Sequence, residues 1–397
     1  METELGRYYT SNKIGHFLVS QMNTQNAENI LDLGCGVKCL SQAASCRWSN
    51  AEVITLDIDE IPSSNFLIHN NKHITSDALF YDLPDTLGVS EGAIDIAVCN
   101  PPFIRPNWKK DYEDIVASIG IDKYFSIKSC YNSEILFIAQ IIRMLKSGGE
   151  AGVILPDNIF SAKRFRAMRE YLISEHSIKK IIELPSKIFR KTEAKTHILI
   201  FNKEKTDDSS SIIELSKLDD IGNLSQPIFI KEQNGIERLD YSYHNLKIKK
   251  YRYDLKLDSI IKIKRGRLNS KQIKELTIPK IHTTDIKSFC KNYILSGDES
   301  LFNLPNKNYI IAEPGDILMS RVGRNFHKKI IIIEKGYAVV SDCLFVIKCK
   351  EKYREIIFNY FTSKIGQEHL IALSYGVTAK QISIEMIKNI KLEINND

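Results

Sequence analysis

Paired cysteines, long apolar runs and internal repeats are all missing from this 397-residue sequence. Its eight cysteines (Cys35, Cys39, Cys46, Cys99, Cys130, Cys290, Cys343 and Cys349) are scattered, and none forms the C-x2-C pair of a zinc site. They read as buried reduced thiols, and no metal is expected. No apolar stretch approaches the roughly 18 residues that a membrane span needs. The acidic start Met-Glu-Thr-Glu-Leu lacks the basic and apolar regions of a signal peptide. A cytoplasmic protein without a membrane partner is the expectation.

What is present suits a soluble chain of roughly two to three domains, 43% hydrophobic and 26% charged. The formal charge of +6 averages two unlike parts. Residues 1–230 carry 25 Lys/Arg against 30 Asp/Glu, whereas residues 231–397 carry 30 against 19, a net of +11. A cationic segment joined to a slightly acidic one suits a polyanion, because neutralising phosphates releases condensed counterions. A solvated Lys-rich surface is the alternative account of the same numbers.

Short β-branched runs alternate with helical stretches from residue 30 to 201, which predicts an α/β, Rossmann-like domain with a parallel sheet and crossover helices. Strands are expected at residues 30–33, 53–56, 94–99, 151–155, 178–183 and 197–201. A helix is expected over residues 133–145, stopped by the glycines of Lys146-Ser147-Gly148-Gly149. Between residues 202 and 222 the pattern dissolves into Lys-Glu-Lys-Thr-Asp-Asp-Ser-Ser-Ser and a second acidic cluster, a composition suited to a linker. The reading is thus a first domain over 1–230, with its linker from about 203, and a mixed α+β domain over 240–397. In the latter, strands are expected at 329–334 and 337–340 and helix from about 354 to 373.

Leu31-Asp32-Leu33-Gly34-Cys35-Gly36 follows a strand start, and Asp57 lies 21 residues beyond Gly36, at the end of the next strand. Glycines there let a ligand approach the backbone, and a carboxylate about 20 residues on accepts ribose hydroxyls. Lys38 stands where a pyrophosphate loop wants a third glycine, so NAD is disfavoured. S-adenosylmethionine, with a ribose and no phosphate, is the expected cofactor. A plain strand-to-helix turn is the structural alternative for Gly34 and Gly36. Asp77 adds a carboxylate for the cofactor's adenine amino group, or else a helix N-cap.

The strand at 94–99 runs into Asn100-Pro101-Pro102-Phe103. Two prolines at a strand's carboxyl edge stiffen the loop where open α/β sheets bind ligands. An exocyclic adenine amine is a poor nucleophile because its lone pair is delocalised into the ring. The Asn100 amide oxygen and the Pro101 carbonyl can each accept one of its N–H groups, which favours a pyramidal nitrogen. Asn100 then faces cofactor and substrate together, Pro102 completes the rigid turn, and Phe103 stacks on a base rotated out of the duplex. The alternative is a rigid Pro-Pro loop with a core Phe.

In order, these residues resemble the γ-group N6-adenine DNA methyltransferases, which include the modification subunits of type I restriction systems. Gly6-Arg7-Tyr8-Tyr9-Thr10 is similar to that family's segment closing over the cofactor's methionine end, although Ser11 replaces the usual Pro. Leu155-Pro156-Asp157-Asn158, the stretch from Glu183 to Phe189 and the stretch from Lys195 to Phe201 also resemble it. The resemblance implies that Tyr8, Tyr9, Thr10, Asp32, Gly34, Gly36, Asp57, Asp77 and Asn100 contact S-adenosylmethionine. It further implies that Phe189 is a second aromatic wall against the flipped base.

The basic C-terminal part offers Lys249, Lys250, Arg252, Lys264, Arg265 and Arg267, with tyrosines interleaved, and a second cluster of Arg321, Arg324, Lys328 and Lys329. Such side chains grip phosphates, and Arg reads base edges. The stretches 312–321 and 376–383 resemble the target-recognition domains of type I specificity subunits. One such domain implies a monomer that methylates a short site in double-stranded DNA, with any restriction endonuclease a separate chain. Two other readings stay open: a methyltransferase of RNA guanine N2 or protein glutamine, which shares the Asn-Pro-Pro-aromatic motif, and a non-catalytic DNA-binding protein whose cofactor fold has degenerated. No Pro-Cys dipeptide is present to serve a cytosine-C5 enzyme.

Overall fold

The β-branched runs become the middle of one large sheet. In the computed structural model, which describes residues 10–60, 70–126, 128, 131–186, 188, 195–205, 212–248, 255–304, 309–376 and 379–392, two compact units are present, 1–244 and 245–397. The first holds strands β1 (Asn29–Leu33), β2 (Glu52–Asp57), β3 (Asn71–Thr75), β4 (Ile94–Cys99), β5 (Leu145–Pro156), β6 (Ser177–Glu183), β7 (Thr196–Asn202), β8 (Ile212–Lys217) and β9 (Ile228–Lys231). Its helices are α1 (Asn12–Ser20), α2 (Cys39–Arg47), α3 (Leu83–Leu87), α4 (Asp111–Ala117), α5 (Ser133–Met144), α6 (Asp157–Ser161) and α7 (Arg166–Glu175), followed after β9 by α8 (Glu232–Glu237); the division between the units falls within α9 (Tyr241–Ile248).

Sheet order is β3-β2-β1-β4-β5-β7-β6-β8-β9. The five strands from β3 to β5 are parallel, and β7 runs antiparallel between β5 and β6. The central strands β1, β4 and β7 are buried almost throughout because helices cover both faces, which is why they read as largely apolar runs, interrupted only by polar side chains such as Asp32, Asp95 and His197. On one face α1 and α2 close the core with Leu18, Leu40 and Ala44 against Ile30, Val98 and Ile154. Gly152 permits this approach, since a Cβ there would sit 2.6 Å from Leu18 Cδ2. Chain order reverses between the neighbours β1 and β4, so the crevice for a ligand opens at their carboxyl ends.

Two expectations are corrected. The stretch assigned as a linker from about 203 contains β8 and β9: β8 pairs in parallel register with β6, and Ile213 and Leu215 are buried. Its polar composition belongs to residues 206–211, outside the described set, and the division between units falls at 244. Residues 146–149 are likewise the irregular opening of β5 rather than a helix cap. There Gly148 has φ +72°, and the register against β4 shifts between Ile94 and Ile96.

The second unit is built on a mixed five-stranded sheet, in the order Ile261–Arg265, Leu344–Cys349, Ile317–Ser320, Ile330–Lys335, Cys290–Ile294. Helices Glu351–Thr362 and Lys364–Leu373, read from sequence as one helical stretch, pack Phe358, Phe361 and Leu370 against Ile317, Ile330 and Ile347. Met319 and Phe345 join the same core, while Leu318, Ile331 and Val346 face a second apolar cluster on the opposite side. Among the described residues no helix is long and apolar enough to cross a membrane.

Candidate active site

At the carboxyl ends of β1, β2 and β4 lies a cavity of about 320 Å³ whose wall includes Thr10, Gly34, Gly36, Asp57, Asp77, Asn100, Pro102 and Phe137. The glycine turn and the Asn-Pro-Pro-Phe loop, far apart in sequence, share it because β1 and β4 are hydrogen-bonded neighbours. Gly34 and Gly36 have φ of 70° and 49°, a left-handed conformation that L side chains rarely adopt. A Cβ on Gly34 would meet Phe137 Cε1 at 3.2 Å.

Lys38 caps α2 with φ 61° and ψ 24°, so the turn keeps the left-handed shape of a third glycine with a lysine in its place. That conformation costs roughly 1–2 kcal/mol for a non-glycine residue. The Lys38 side chain is buried and is not on the cavity wall.

Asp57 is oriented by the turn it faces: Oδ2 accepts the Gly36 N–H at 2.8 Å and Oδ1 accepts the Asp59 N–H at 3.1 Å. Asp77 Oδ1 accepts the Leu79 N–H at 2.9 Å, and Oδ2 pairs with Lys109 Nζ at 2.9 Å. The Asn100 amide donates from Nδ2 to Thr10 Oγ1 at 3.1 Å, which ties Thr10 to the Asn-Pro-Pro-Phe loop.

Asp32 was expected among the cofactor ligands. It is fully buried beneath the turn, off the cavity wall, and its Oδ2 accepts the Ser41 N–H at 3.0 Å. Burial pushes its carboxyl up to about 7, with the Ser41 hydrogen bond opposing the rise. Through Ser41 it braces α2 against β1. Pro101 is buried and Phe103 half-buried, and neither is on the wall of this cavity. Tyr8, Tyr9 and Phe189 lie outside the described residues.

Sequence reasoning missed three residues that support the cavity from α5. Ser133 Oγ donates to the Pro102 carbonyl, and the Ser133 N–H donates to the Ile104 carbonyl at 3.0 Å, stapling the exit of the Asn-Pro-Pro-Phe loop. Phe137 forms the wall opposite Gly34, and Gln140 Nε2 donates to the carbonyls of Ala78 (3.0 Å) and Phe80 (2.6 Å), fixing the segment that carries Asp77. Positions 133, 137 and 140 share one helical face, a spacing that was available in the sequence.

At the same sheet edge the other family-like motifs form a buried ionic cluster. Lys195 Nζ lies 3.1 Å from Asp157 Oδ1 and 3.2 Å from Glu183 Oε1. His197 Nε2 is 3.0 Å from Asp157 Oδ1, Lys217 Nζ is 3.3 Å from Glu183 Oε1, and the Ser242 hydroxyl donates to Glu183 Oε1 at 2.6 Å. Burial pushes the Glu183 carboxyl up, but Lys195 and then Lys217 outweigh it and hold the group well below the usual range.

In the second unit Lys264, Arg265, Arg267, Arg324 and Lys328 are exposed. Arg265 and Arg321, from different elements, converge on the Asp342 carbonyl at 3.1 and 3.0 Å, and Arg265 also pairs with the Asp342 carboxylate at 2.9 Å. Arg321 is half-buried, and Lys329 donates to the Thr283 carbonyl at 2.7 Å, so both are engaged within the fold. Lys249, Lys250 and Arg252 fall outside the described residues. No cluster of metal-ligating side chains occurs among the described residues.

Comparison with known proteins adds to this geometry. The model of the family described as N-6 DNA Methylase matches residues 1–296. The chain is similar to the type II methyltransferase M.HindII of Haemophilus influenzae, at 27% identity over 77% of this chain and 56% of that protein. It also resembles the type I restriction enzyme EcoEI methylase subunit of Escherichia coli, at 24% identity over 50% of this chain and 42% of the subunit. The chain therefore spans about half the length of the curated relatives it matches. Among solved structures, the type IIG restriction endonuclease BpuSI is similar in fold, with a TM-score of 0.51 and 13% identity over 100% of this chain and 60% of that one.

Proposed function

Because the chain belongs to the N-6 DNA methylase family, we propose that it methylates the N6 amine of a flipped-out adenine in duplex DNA, the first unit carrying catalysis and the second selecting the site. The observation that carries this reading is the single cavity wall shared by Asn100, the Gly34–Gly36 turn, Asp57 and Asp77. The donors and acceptors there suit S-adenosylmethionine. Two carboxylates and backbone amides face an apolar wall of Val37, Leu40, Leu79 and Phe137, and the cation Lys109 is already matched by Asp77, leaving no charge set to grip a pyrophosphate.

Asp57 would hold the ribose hydroxyls, Asp77 the adenine amino group, and Thr10, with Tyr8 and Tyr9 before it, the methionine end. When bound, S-adenosylmethionine supplies an electrophilic methyl group on a sulfonium. The chain's own part is to make the amine nucleophilic: the Asn100 amide oxygen and the Pro101 carbonyl each accept one N–H, which localises the lone pair. Thr10 fixes the rotation of the Asn100 amide by taking its Nδ2–H. Phe103 and Phe189 would hold the extruded base by stacking. Lys264, Arg265, Arg267, Arg324 and Lys328, together with Lys249, Lys250 and Arg252, would bind DNA. Arg321 and Lys329 would shape that surface. We place the protein in a restriction-modification system, acting as a monomer with any endonuclease on a separate chain.

Protein incubated with labelled cofactor and duplex DNA should label adenine. Asn100→Ala should abolish the label while cofactor affinity changes by less than about threefold, under 1 kcal/mol. Label retained by this variant, or found only in RNA or protein, would overturn the reading. Removing residues 245–397 should abolish sequence-selective DNA binding, and unchanged selectivity in the shortened protein would refute the role given to the second unit.

A further inference from the structure

The cavity wall contains a cation beside an acid. Asp77 follows β3, Lys109 lies downstream of the Asn-Pro-Pro-Phe loop, and their charged atoms meet at 2.9 Å on the wall. The Lys109 ammonium also sits 4.6 Å from the centroid of the Phe80 ring. Trp108, next to it, packs edge-on against Tyr112 (5.7 Å) and Tyr131 (4.9 Å), which anchors the backbone that carries Lys109. With side chains 41% and 24% exposed, this ion pair adds little to stability. Its place on the wall has a chemical use, however. A carboxylate acceptor next to an ammonium donor complements the edge of a 6-aminopurine, which presents an amino N–H beside a ring-nitrogen acceptor.

We propose that Lys109 is a specificity-determining residue of the cofactor site, donating a hydrogen bond to a ring nitrogen of the cofactor's adenine while Asp77 accepts the amino N–H. This inference rests on the cofactor reading above. It predicts that the site reads the aminopurine edge with two charged groups of opposite sign, and that the segment after Asn-Pro-Pro-Phe takes part in cofactor binding.

The test is calorimetric titration of the full chain with S-adenosylhomocysteine and with its 1-deaza and 7-deaza analogues. Wild type, Lys109→Met and Lys109→Arg are compared. Lys109→Met should bind S-adenosylhomocysteine about tenfold more weakly, the size of one partly exposed charge-assisted hydrogen bond. Lys109→Arg should recover most of the loss. The decisive readout is the coupling between variant and ligand: one deaza analogue, lacking the nitrogen that accepts from Lys109, should bind wild type and Lys109→Met equally. Equal weakening of all three ligands would mean that Lys109 only props the wall, and unchanged affinity would mean that it does nothing there; either overturns the proposal. If wild type fails to bind S-adenosylhomocysteine at all, the cofactor reading itself falls, and this inference with it.

Discussion

Lys195→Met removes one cation from a buried cluster and leaves the Asp157 and Glu183 carboxylates with less counter-charge. In the native chain Lys195 Nζ contacts them at 3.1 and 3.2 Å. At an effective dielectric of about 20, each contact has a gross attraction of roughly 5 kcal/mol, much of it offset by desolvation. Taking one partner from a buried pair costs about 3–5 kcal/mol, because the group left behind stays uncompensated. Lys217 and His197 remain in place, so we expect the lower end, about 3 kcal/mol. Both tryptophans of the chain, Trp48 and Trp108, lie in the first unit, so their fluorescence during urea unfolding reads that unit alone. With a slope of roughly 2–3 kcal/mol per molar urea, the midpoint should fall by about 1 M or more at neutral pH.

The pH dependence supplies a second check. Glu183 is held below its ordinary value of 4.5, so the stability it contributes is present above that value and lost as pH falls through its depressed native pKa. Lys195 is held above its ordinary value, so its contribution is present below about 10.5 and lost only as pH rises through the higher native one. The gap between wild type and Lys195→Met should therefore narrow in acid. A midpoint shift below about 0.3 M at pH 7, or a gap that has not narrowed by about pH 2, well below the ordinary carboxylate range, would refute the assignment of this cluster as a charge-compensated support.

Two further outcomes follow from the cavity. Thr10→Val removes the acceptor of the Asn100 amide and should slow methyl transfer about fivefold to tenfold, about 1 kcal/mol, while Thr10→Ser stays near wild type; equal rates for the two variants in a single-turnover assay would rule out the hydrogen bond as the cause. Gly34→Ala forces a side chain into φ 70° and against Phe137, so thermal melting should show a loss of roughly 1–3 kcal/mol, and an unshifted melt would mean that the turn relaxes without strain.

The strands of the first sheet were legible because central strands covered on both faces are mostly apolar, and residues 94–99 match their strand to the residue even with Asp95 among them. Edge strands escaped for the converse reason. Strand β3, Asn-Lys-His-Ile-Thr, has no fully buried residue, and β8 and β9 follow a polar run that reads as the end of a domain. The glycine turn and the Asn-Pro-Pro-Phe motif do meet, since chain reversal between β1 and β4 brings Gly34 and Asn100 to one wall. Motif position could not say which carboxylates face the cavity: along β1 alternate residues point to opposite faces, and Asp32 turns under the helix. Contacts such as Asn100 to Thr10, between residues 90 apart, arise only once the sheet has formed.

Helix α5 gives the site a common datum. Ser133, Phe137 and Gln140 on one face meet the exit of the Asn-Pro-Pro-Phe loop, the glycine turn and the loop after β3 that carries Asp77. Three reference marks cut on a single ruler hold a fixed spacing, so the helix sets the distance between the Asn-Pro-Pro-Phe loop and the glycine turn. Lesions along that ruler should accordingly be felt jointly, and two of them together should cost less than the total of each alone.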